Sequence, residues 1–301
     1  MTKETKMTNK KMIRRAKLFR KFIGFITSFA DVVLRKSKTT VGKELFLDTD
    51  VGKVRVLTYN MECKDKLPLF VNFHSSGFIF GSAKMDDPFM MNIAVNANVK
   101  IFNVDYSLAP ESPFPTALKE GYAVVKYAKE HHEELGLDPD KISVGGHSAG
   151  GNISAAIHLM DIDKKELGIK CLILDYPPTD LYTDPSERTH PKYSIPAFMS
   201  RFFNNCYCID REKRKNPLIS PLLSEDEKLS TFPPTLLITC SLDSLCEEGE
   251  ELKDKLLKVG VDVTHKRYNA IHGFNAKTGK DAADSWNDMI AHLKRYLWGN
   301  N

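Results

Sequence analysis

The feature that most constrains this chain is a Gly-x-Ser-x-Gly turn built from Gly146, Ser148 and Gly150. A short β-branched run, Lys141–Gly145, leads into the turn, and an Ala- and Ile-rich, helix-like stretch follows it at about 149–160. A serine on so sharp a strand-to-helix turn needs small neighbours, and the two glycines provide the clearance. The helix that follows brings free amides and its positive dipole end to the serine. This context predicts a nucleophile elbow at Ser148.

Two further residues stand where the partners of such a serine are expected. A serine hydroxyl needs a base to remove its proton and a carboxylate to orient that base. In this topology the acid and then the histidine follow the serine along the chain. Asp243 comes after the apolar run Thr235–Cys240, and His272 after the run Val261–Tyr268. These positions predict a triad of Ser148, Asp243 and His272, which a glycine-rich turn with an incidental serine would not explain.

The other acids and histidines fit these roles less well. Glu247 and Glu248 start the next helix-like stretch and are interpreted as charges at a helix N-terminus. His190 lies in an irregular segment, where it could at most touch substrate. The remaining candidates fall inside helix-like or strand-like runs, at His131, His132, His158, His265 and His292.

A polar turn between the third strand-like run and the elbow supplies backbone amides. It begins at His74, which is expected to support the loop, and continues to Ser76 and Gly77. Acyl transfer needs amides at the developing oxyanion. We therefore predict an oxyanion hole from the N–H groups of Ser76, Gly77 and Ala149, the alternative being an ordinary polar loop.

Strand-like and helix-like segments alternate along most of the chain. Continuous apolar strands separated by helices predict an α/β fold with a mostly parallel sheet covered on both faces, and the turn at Asp50–Gly52 predicts that the first pair is antiparallel. The eight strand-like runs are Glu44–Asp48, Lys53–Tyr59, Pro68–His74, Val99–Val104, Lys141–Gly145, Ile169–Asp175, Thr235–Cys240 and Val261–Tyr268. The main helix-like stretches are about 85–97, 115–135, 149–160, 247–259 and 281–298.

Five ordered motifs between about residues 65 and 275 carry a family resemblance. They are His74-Ser75-Ser76-Gly77, Tyr106-Ser107-Leu108-Ala109-Pro110-Glu111, Gly146-His147-Ser148-Ala149-Gly150-Gly151, Asp243-Ser244-Leu245 and His272-Gly273-Phe274. Together they resemble the hormone-sensitive-lipase-like family of α/β-hydrolase carboxylesterases. The resemblance implies an α/β-hydrolase fold with a cap formed by the N-terminal arm and an insertion before the last strands.

This chain departs from the family's motifs at three places. Ser75 and Ser76 replace two glycines, so we expect a tighter or shifted oxyanion loop. Ser107 replaces an arginine and removes an internal ion-pair donor. His147 replaces the aspartate beside the nucleophile, and we interpret it as a neutral supporting residue rather than a catalytic one.

Residues 1–40 form a basic arm with apolar residues at helical spacing. Twelve Lys and Arg face two acidic residues there, so the arm carries a net charge of +10 while the rest of the chain carries −6. Three interpretations compete: a helix of the cap, a surface helix touching acidic lipid, and a signal peptide with Phe22–Ala30 as apolar core and Ser28-x-Ala30 as cleavage site. The apolar positions are Met12, Ile13, Ala16, Phe19, Phe22, Ile23, Ile26, Phe29 and Ala30.

The remaining chain, 41–301, is interpreted as the catalytic domain with an insertion at about 177–222. Seven prolines and a short aromatic helix near 196–208 mark this insertion. It is expected to be a lid or cap over the carboxyl edge of the sheet, with a long surface loop as the alternative.

Composition excludes several function classes. A net charge of +4 over 301 residues gives no nucleic-acid signature, and no apolar run reaches the length of a membrane span. Cys171 and Cys240 fit a core, and Cys206-Tyr-Cys208 lacks the second pair that a zinc site would need. A reduced, cytoplasmic compartment is the simplest expectation, with secretion as the alternative if residues 1–30 are a signal peptide.

The combined expectation is a serine carboxylesterase for short acyl esters that uses no metal and no organic cofactor. Its partner is a small-molecule ester, with weak membrane contact through the arm as a further option, in a monomer or homodimer. A serine peptidase or amidase on the same fold is the nearest alternative. A non-catalytic ligand-binding protein is less favoured, because this chain keeps Ser, Asp and His.

Overall fold

A computed structural model describes residues 10–24 and 40–299 of the chain. Its centre is one sheet in which the strands lie in the order β1-β2-β4-β3-β5-β6-β7-β8. The strands are β1 (Lys43–Thr49), β2 (Gly52–Tyr59), β3 (Leu67–Phe73), β4 (Lys100–Val104), β5 (Leu137–His147), β6 (Ile169–Asp175), β7 (Thr235–Cys240) and β8 (Val263–Tyr268).

The mostly parallel eight-stranded sheet predicted from the sequence is confirmed. β1 pairs antiparallel with β2, as the turn between them predicts, and β2 also pairs antiparallel with β4. From β4 to β8 every neighbouring pair is parallel. β3, β4 and β7 are buried along their whole length, and apolar residues accordingly predominate in their sequences.

Helices cover both faces of the sheet. Apolar residues of α3, α5 and α8 pack on one face in a core with Val71 and Phe73, while those of α2 and α9 pack on the other face with Phe70. The helices are α1 (10–24), α2 (Asp87–Ala97), α3 (Thr116–Glu130), α4 (His132–Leu135), α5 (Ala149–Asp161), α6 (Ala197–Tyr207), α7 (Asp226–Leu229), α8 (Cys246–Lys258) and α9 (Lys280–Trp298).

Parallel strands bring several chain segments to one edge of the sheet. β5, β6, β7 and β8 all end there, and the long connection between β6 and β7, which includes α6, lies over the same edge. The predicted cleavage site at Ser28-x-Ala30 lies outside the described residues, as do the other arm residues 1–9 and 25–39.

Candidate active site

Ser148 occupies a tight turn between β5 and α5. Its φ of 53° and ψ of −119° place it outside the regions that most side chains adopt. The Ser148 N–H donates to the Asp175 carbonyl oxygen at 2.8 Å, which holds the turn against β6. A Cβ at Gly146 or Gly150 would lie 2.5 or 2.0 Å from the Phe73 carbonyl oxygen. Only glycine lets β3 and the elbow approach so closely.

The structure brings Ser148, His272 and Asp243 into one hydrogen-bonded line. Asp243 follows β7 and accepts a hydrogen bond from His272 Nδ1 at 2.6 Å, because a carboxylate can only accept. This leaves His272 Nε2 to accept from Ser148 Oγ at 2.8 Å. Asp243 is 3% exposed and Ser148 6% exposed, so both bonds lie in a largely water-excluded site.

Two opposing effects set the pKa of His272. Burial lowers it, but the charge of Asp243 and its hydrogen bond to the imidazole raise it, and the net pKa lies above the ordinary 6.5. The same carboxylate therefore fixes the tautomer of His272 and would stabilise its imidazolium form.

The rival carboxylates do not touch this histidine. Glu247 accepts from the Thr189 hydroxyl and, at 3.3 Å, from its N–H. Glu248 is buried and accepts from the Thr179 N–H at 2.7 Å. Burial raises the pKa of Glu248 to about 8, although the Thr179 amide lowers it. Both glutamates lie in the first turn of α8, as the sequence indicates, but they also tie α8 to the β6–β7 connection.

Backbone donors face the same space as the nucleophile. Ser76 and Gly77 line one cavity with Ser148 and His272. The N–H groups of Ser76, Gly77 and Ala149 have no acceptor within the described part of the chain. Ala149 is the first residue of α5, where helix geometry leaves the N–H unpaired. These three donors are available to an oxyanion.

The left-handed residues of the oxyanion loop are not the two serines that replace glycines. Positive φ values occur at Gly77 (53°) and Phe78 (66°), whereas Ser75 and Ser76 avoid the left-handed region. Replacing the family's two glycines by serines therefore costs no left-handed backbone strain. Gly77 itself is sterically required, because a Cβ there would lie 2.8 Å from the Phe203 ring.

Side chains beneath the loop hold it in place. The Tyr106 hydroxyl donates to the His74 carbonyl oxygen at 2.9 Å and therefore accepts from Ser76 Oγ at 2.5 Å. The His74 ring stacks on Tyr106 with centroids 4.2 Å apart, and burial lowers its pKa. Ser76 Oγ also accepts from the Phe78 N–H at 3.1 Å. The serine that replaces glycine thus gains two hydrogen bonds within the loop.

A second histidine–aspartate pair lies next to the nucleophile, and sequence analysis missed it. His147 Nδ1 donates to Asp175 Oδ2 at 2.5 Å, and both side chains are buried. Asn275 Nδ2 donates to the same oxygen at 2.7 Å and accepts from the Tyr176 hydroxyl at 2.7 Å. The sequence offered two signals. Asp175 is a carboxylate at the end of the apolar run of β6, and Asn275 lies three residues beyond His272.

The pair gives His147 a buried partner beside the nucleophile elbow. Burial lowers its pKa, but the hydrogen bond and charge of Asp175 raise it, and the net pKa lies above the ordinary 6.5. Asp175 therefore stabilises the protonated form of His147 relative to an ordinary histidine. Through Asp175 and Asn275 this group connects the elbow with the loop that carries His272.

A mostly apolar cavity of about 260 Å³ opens above Ser148 and His272. Its walls come from α1, the oxyanion loop, α6 and the start of α8. The apolar lining residues are Phe19, Ile23, Phe78, Phe80, Pro178, Ile195, Met199, Phe203 and Leu245. His190 is not among the lining residues and instead contacts carbonyl oxygens of its own segment.

One aromatic ring and one arginine of α1 make extensive contacts beside this cavity. Phe19 meets the rings of Phe80, Phe202 and Phe203 edge-on at 5.6, 6.0 and 5.8 Å between centroids. The Arg20 guanidinium bonds both carboxylate oxygens of Glu111 at 2.9 and 2.7 Å and donates to two backbone carbonyl oxygens.

Three properties of the described residues bear on other functions. Among residues 10–24 and 40–299, no three His, Cys, Asp or Glu side chains cluster so as to hold a metal ion. No helix in these ranges has the length and apolar character to cross a membrane. All six cysteines are free thiols, and Cys171 and Cys240 are buried in strands.

Comparisons with known proteins show which family the chain resembles over most of its length. Residues 70–276 match a protein family described as having the alpha/beta hydrolase fold. An arylesterase from Saccharolobus solfataricus is 32% identical over 209 residues, which are 68% of each chain. The carboxylesterase NlhH of Mycobacterium tuberculosis is 31% identical over 88% of this chain and 83% of its own.

A solved structure extends the similarity to almost the whole chain. The hyperthermophilic esterase from Pyrobaculum calidifontis superposes with a TM-score of 0.84 at 27% identity, covering 98% of both chains. The arrangement of sheet, helices and connecting segments is therefore shared with an esterase of nearly equal extent.

Proposed function

Because the chain belongs to the hormone-sensitive-lipase-like family of α/β-hydrolase carboxylesterases, we propose that Ser148, His272 and Asp243 are the catalytic triad of its ester-hydrolysing site. The chain is a carboxylic ester hydrolase. The proposal assigns the residues and the class of ester. The observation that carries it is the hydrogen-bonded line from Ser148 Oγ through His272 to Asp243, at 2.8 and 2.6 Å.

Acylation begins when Ser148 Oγ attacks the ester carbonyl carbon. His272 Nε2 accepts the hydroxyl proton, and Asp243 stabilises the resulting imidazolium. The carbonyl oxygen becomes an oxyanion that the N–H groups of Ser76, Gly77 and Ala149 stabilise. When the tetrahedral intermediate collapses, His272 returns the proton to the departing alkoxide, so an alcohol leaves and acyl-Ser148 remains.

Deacylation repeats these steps with water as nucleophile. His272 Nε2 takes a proton from water as the oxygen attacks the acyl-serine carbonyl, and the same three amides stabilise the second oxyanion. Collapse breaks the bond to Ser148 Oγ, which regains its proton from His272. A carboxylic acid is released and the enzyme is restored.

The cavity supports short acyl esters as substrates. Its volume of about 260 Å³ is below the roughly 300–1,000 Å³ typical of sites for drug-sized ligands. Its apolar walls favour a small hydrocarbon group. Because α1 and α6 contribute much of the lining, we propose that the arm and the insertion at about 177–222 form the cap that limits acyl length.

A p-nitrophenyl ester series of increasing acyl length, run beside an amide panel, tests this function. We expect the highest kcat/KM with short esters and slow or no turnover of amides. A preference for amides would favour a peptidase or amidase instead, and a preference for long acyl chains would contradict the size argument.

Ser148→Ala is the control that links this turnover to the proposed site. We expect a folded protein that has lost about 10⁴–10⁶ in kcat, because no acyl intermediate can form. Circular dichroism checks the fold. Near-wild-type hydrolysis by the folded variant would rule out the triad.

A further inference from the structure

α1 has two chemically different faces. Ala16, Phe19 and Ile23 lie on the face toward the protein, where Ala16 is fully buried and the other two line the cavity. Leu18 and Phe22 lie one helical turn apart on the opposite face and remain 70% and 61% exposed. Two large apolar side chains so exposed on one short helix are not explained by packing against residues 10–24 and 40–299, which the structure describes.

The exposed face is strongly basic. Helix 10–24 contains no acidic residue, and its exposed cations are Lys10, Lys11, Arg14, Arg15, Lys17 and Lys21. Within the described residues none of these six has an acidic oxygen within 4.0 Å, whereas Arg20, on the other face, pairs with Glu111. At helical spacing, Lys11, Arg14 and Arg15 lie beside the turn that carries Leu18 and Phe22.

We propose that this outer face of α1, defined by Lys11, Arg14, Arg15, Leu18 and Phe22, docks on the surface of an anionic lipid bilayer. Basic residues that flank exposed aliphatic and aromatic side chains are typical of helices that lie in the membrane interface. The cations match acidic headgroups, and the two apolar side chains insert between them. A polyanion such as nucleic acid would satisfy the charges but would leave Leu18 and Phe22 exposed.

Docking through this face would place the cavity close to the membrane surface. A helix is about 10 Å wide, so the space above Ser148 would lie one helix diameter from the headgroups. Phe198, 68% exposed, lies one turn from Phe202, whose ring meets Phe19, so it extends the apolar surface onto α6. The cap would thus face the interface, where apolar esters concentrate.

Vesicle co-sedimentation of the full chain tests the proposal. We expect binding to phosphatidylcholine vesicles with about 30% phosphatidylserine, little binding without it, and weaker binding as salt rises from about 0.05 to about 0.3 M. Lys11→Gln/Arg14→Gln/Arg15→Gln should weaken binding about 100-fold, at about fivefold for each cation. Leu18→Ser/Phe22→Ser should weaken it about tenfold or more.

The matched control is Val95→Ser/Leu257→Ser. These side chains are 63% and 49% exposed on α2 and α8, so the pair removes similar exposed apolar surface away from α1. This control should bind like wild type. Leu18→Ser/Phe22→Ser should keep wild-type turnover of a soluble acetyl ester, which shows that the variant is folded.

Three results would overturn the proposal. Equal binding to vesicles with and without phosphatidylserine would remove the electrostatic part. Wild-type binding by the Leu18→Ser/Phe22→Ser protein would place the lipid contact elsewhere in the chain. A salt-sensitive dimer in gel filtration that this variant abolishes, without vesicle binding by wild type, would make a second copy the occupant, since the chain beyond the arm carries −6.

Discussion

The floor and the roof of the cavity are held together in different ways. The floor, defined by Ser148, His272 and Asp243, is buried at the ends of parallel strands and joined by short hydrogen bonds. The roof, defined by α1 and α6, rests on aromatic contacts and on two partly exposed ion pairs. These are Arg20–Glu111 on α1, with side chains 26% and 34% exposed, and Arg201–Asp184 on α6, with side chains 43% and 27% exposed.

This difference separates chemistry from selection of the substrate. In the proposed mechanism floor atoms exchange protons and form bonds, so a displacement of a fraction of an ångström would alter the transition state. In the same proposal roof atoms only enclose the space that the acyl group would occupy. Substitutions in the floor should therefore lower kcat, and substitutions in the roof should mainly change KM and the preferred ester.

Among variants that keep Ser148, Asp243→Asn should cause the largest loss of kcat. The amide cannot favour the tautomer in which His272 carries its proton on Nδ1, so we expect kcat to fall by about 10⁴. Steady-state kinetics on a p-nitrophenyl ester measures this. Glu247→Gln is the control and should keep near-wild-type kcat. A large loss in that control with little effect in Asp243→Asn would reverse the assignment of the carboxylate.

Asp175→Asn tests whether the floor extends beyond the triad. Asp175 joins His147 to Asn275, so we expect the loop of His272 to shift and kcat to fall about 10–100-fold with little change in KM. A merely structural role would lower the unfolding free energy without changing kcat in the folded fraction. Urea unfolding beside kinetics distinguishes the two, and unchanged kcat would confine the floor to the triad.

The residues of the proposed triad could be singled out from the sequence because each has a local signature. Ser148 lies in a turn of fixed pattern, and Asp243 and His272 each follow a recognisable strand in the expected order. Asp175 and Asn275 had weaker signals, their positions after the apolar run of β6 and three residues beyond His272, and neither position indicates which residue is the partner. Their contact joins residues 100 positions apart, and it depends on which strands become neighbours in the sheet.

The roof was less predictable for a related reason. Helical spacing groups Phe19, Phe22 and Ile23 as one apolar set, but the structure turns Phe22 outward while the other two line the cavity. The apolar stripe on α1 is wide enough to allow more than one orientation. The ion pair of Arg20 with Glu111 is made in only one of these orientations. Glu111 lies 91 residues away, in a different motif, so the spacing within α1 could not indicate it.

The pH dependence of catalysis should report the floor's electrostatics. His272 must be neutral to accept a proton, and Asp243 raises its pKa above 6.5 despite burial, so kcat/KM should rise with pH through a midpoint above about 6.5. In Asp243→Asn the midpoint should fall, because the charge that raises the pKa is gone while burial remains. A pH–rate profile that keeps its midpoint in this variant would contradict the argument.

The contribution of the His147–Asp175 pair to the unfolding free energy should also depend on pH, and its direction can be measured. Because the pKa of His147 is raised above its unfolded value of about 6.5, its stabilising effect is fully present below that pH. It is lost as pH rises through the folded-state pKa. The difference in unfolding free energy between wild type and His147→Asn should therefore be larger at about pH 5.5 than at about pH 9. An equal difference at both pH values would mean that the pair does not raise the pKa of His147.

Substitutions in the roof should have the smallest effect on kinetics. The neighbouring residues Phe19 and Leu18 allow a direct test. Phe19 lines the cavity and Leu18 faces outward, so Phe19→Ala should change the ratio of KM values for acetyl and longer p-nitrophenyl esters about three- to tenfold. kcat should change little, because the triad is untouched. Leu18→Ala removes a side chain from the same helix without opening the cavity and should leave both KM values unchanged. If both variants changed the ratio alike, the effect would come from loosening α1 rather than from the cavity wall. If neither did, the acyl group would not reach α1, and the floor together with α6 would set the selectivity.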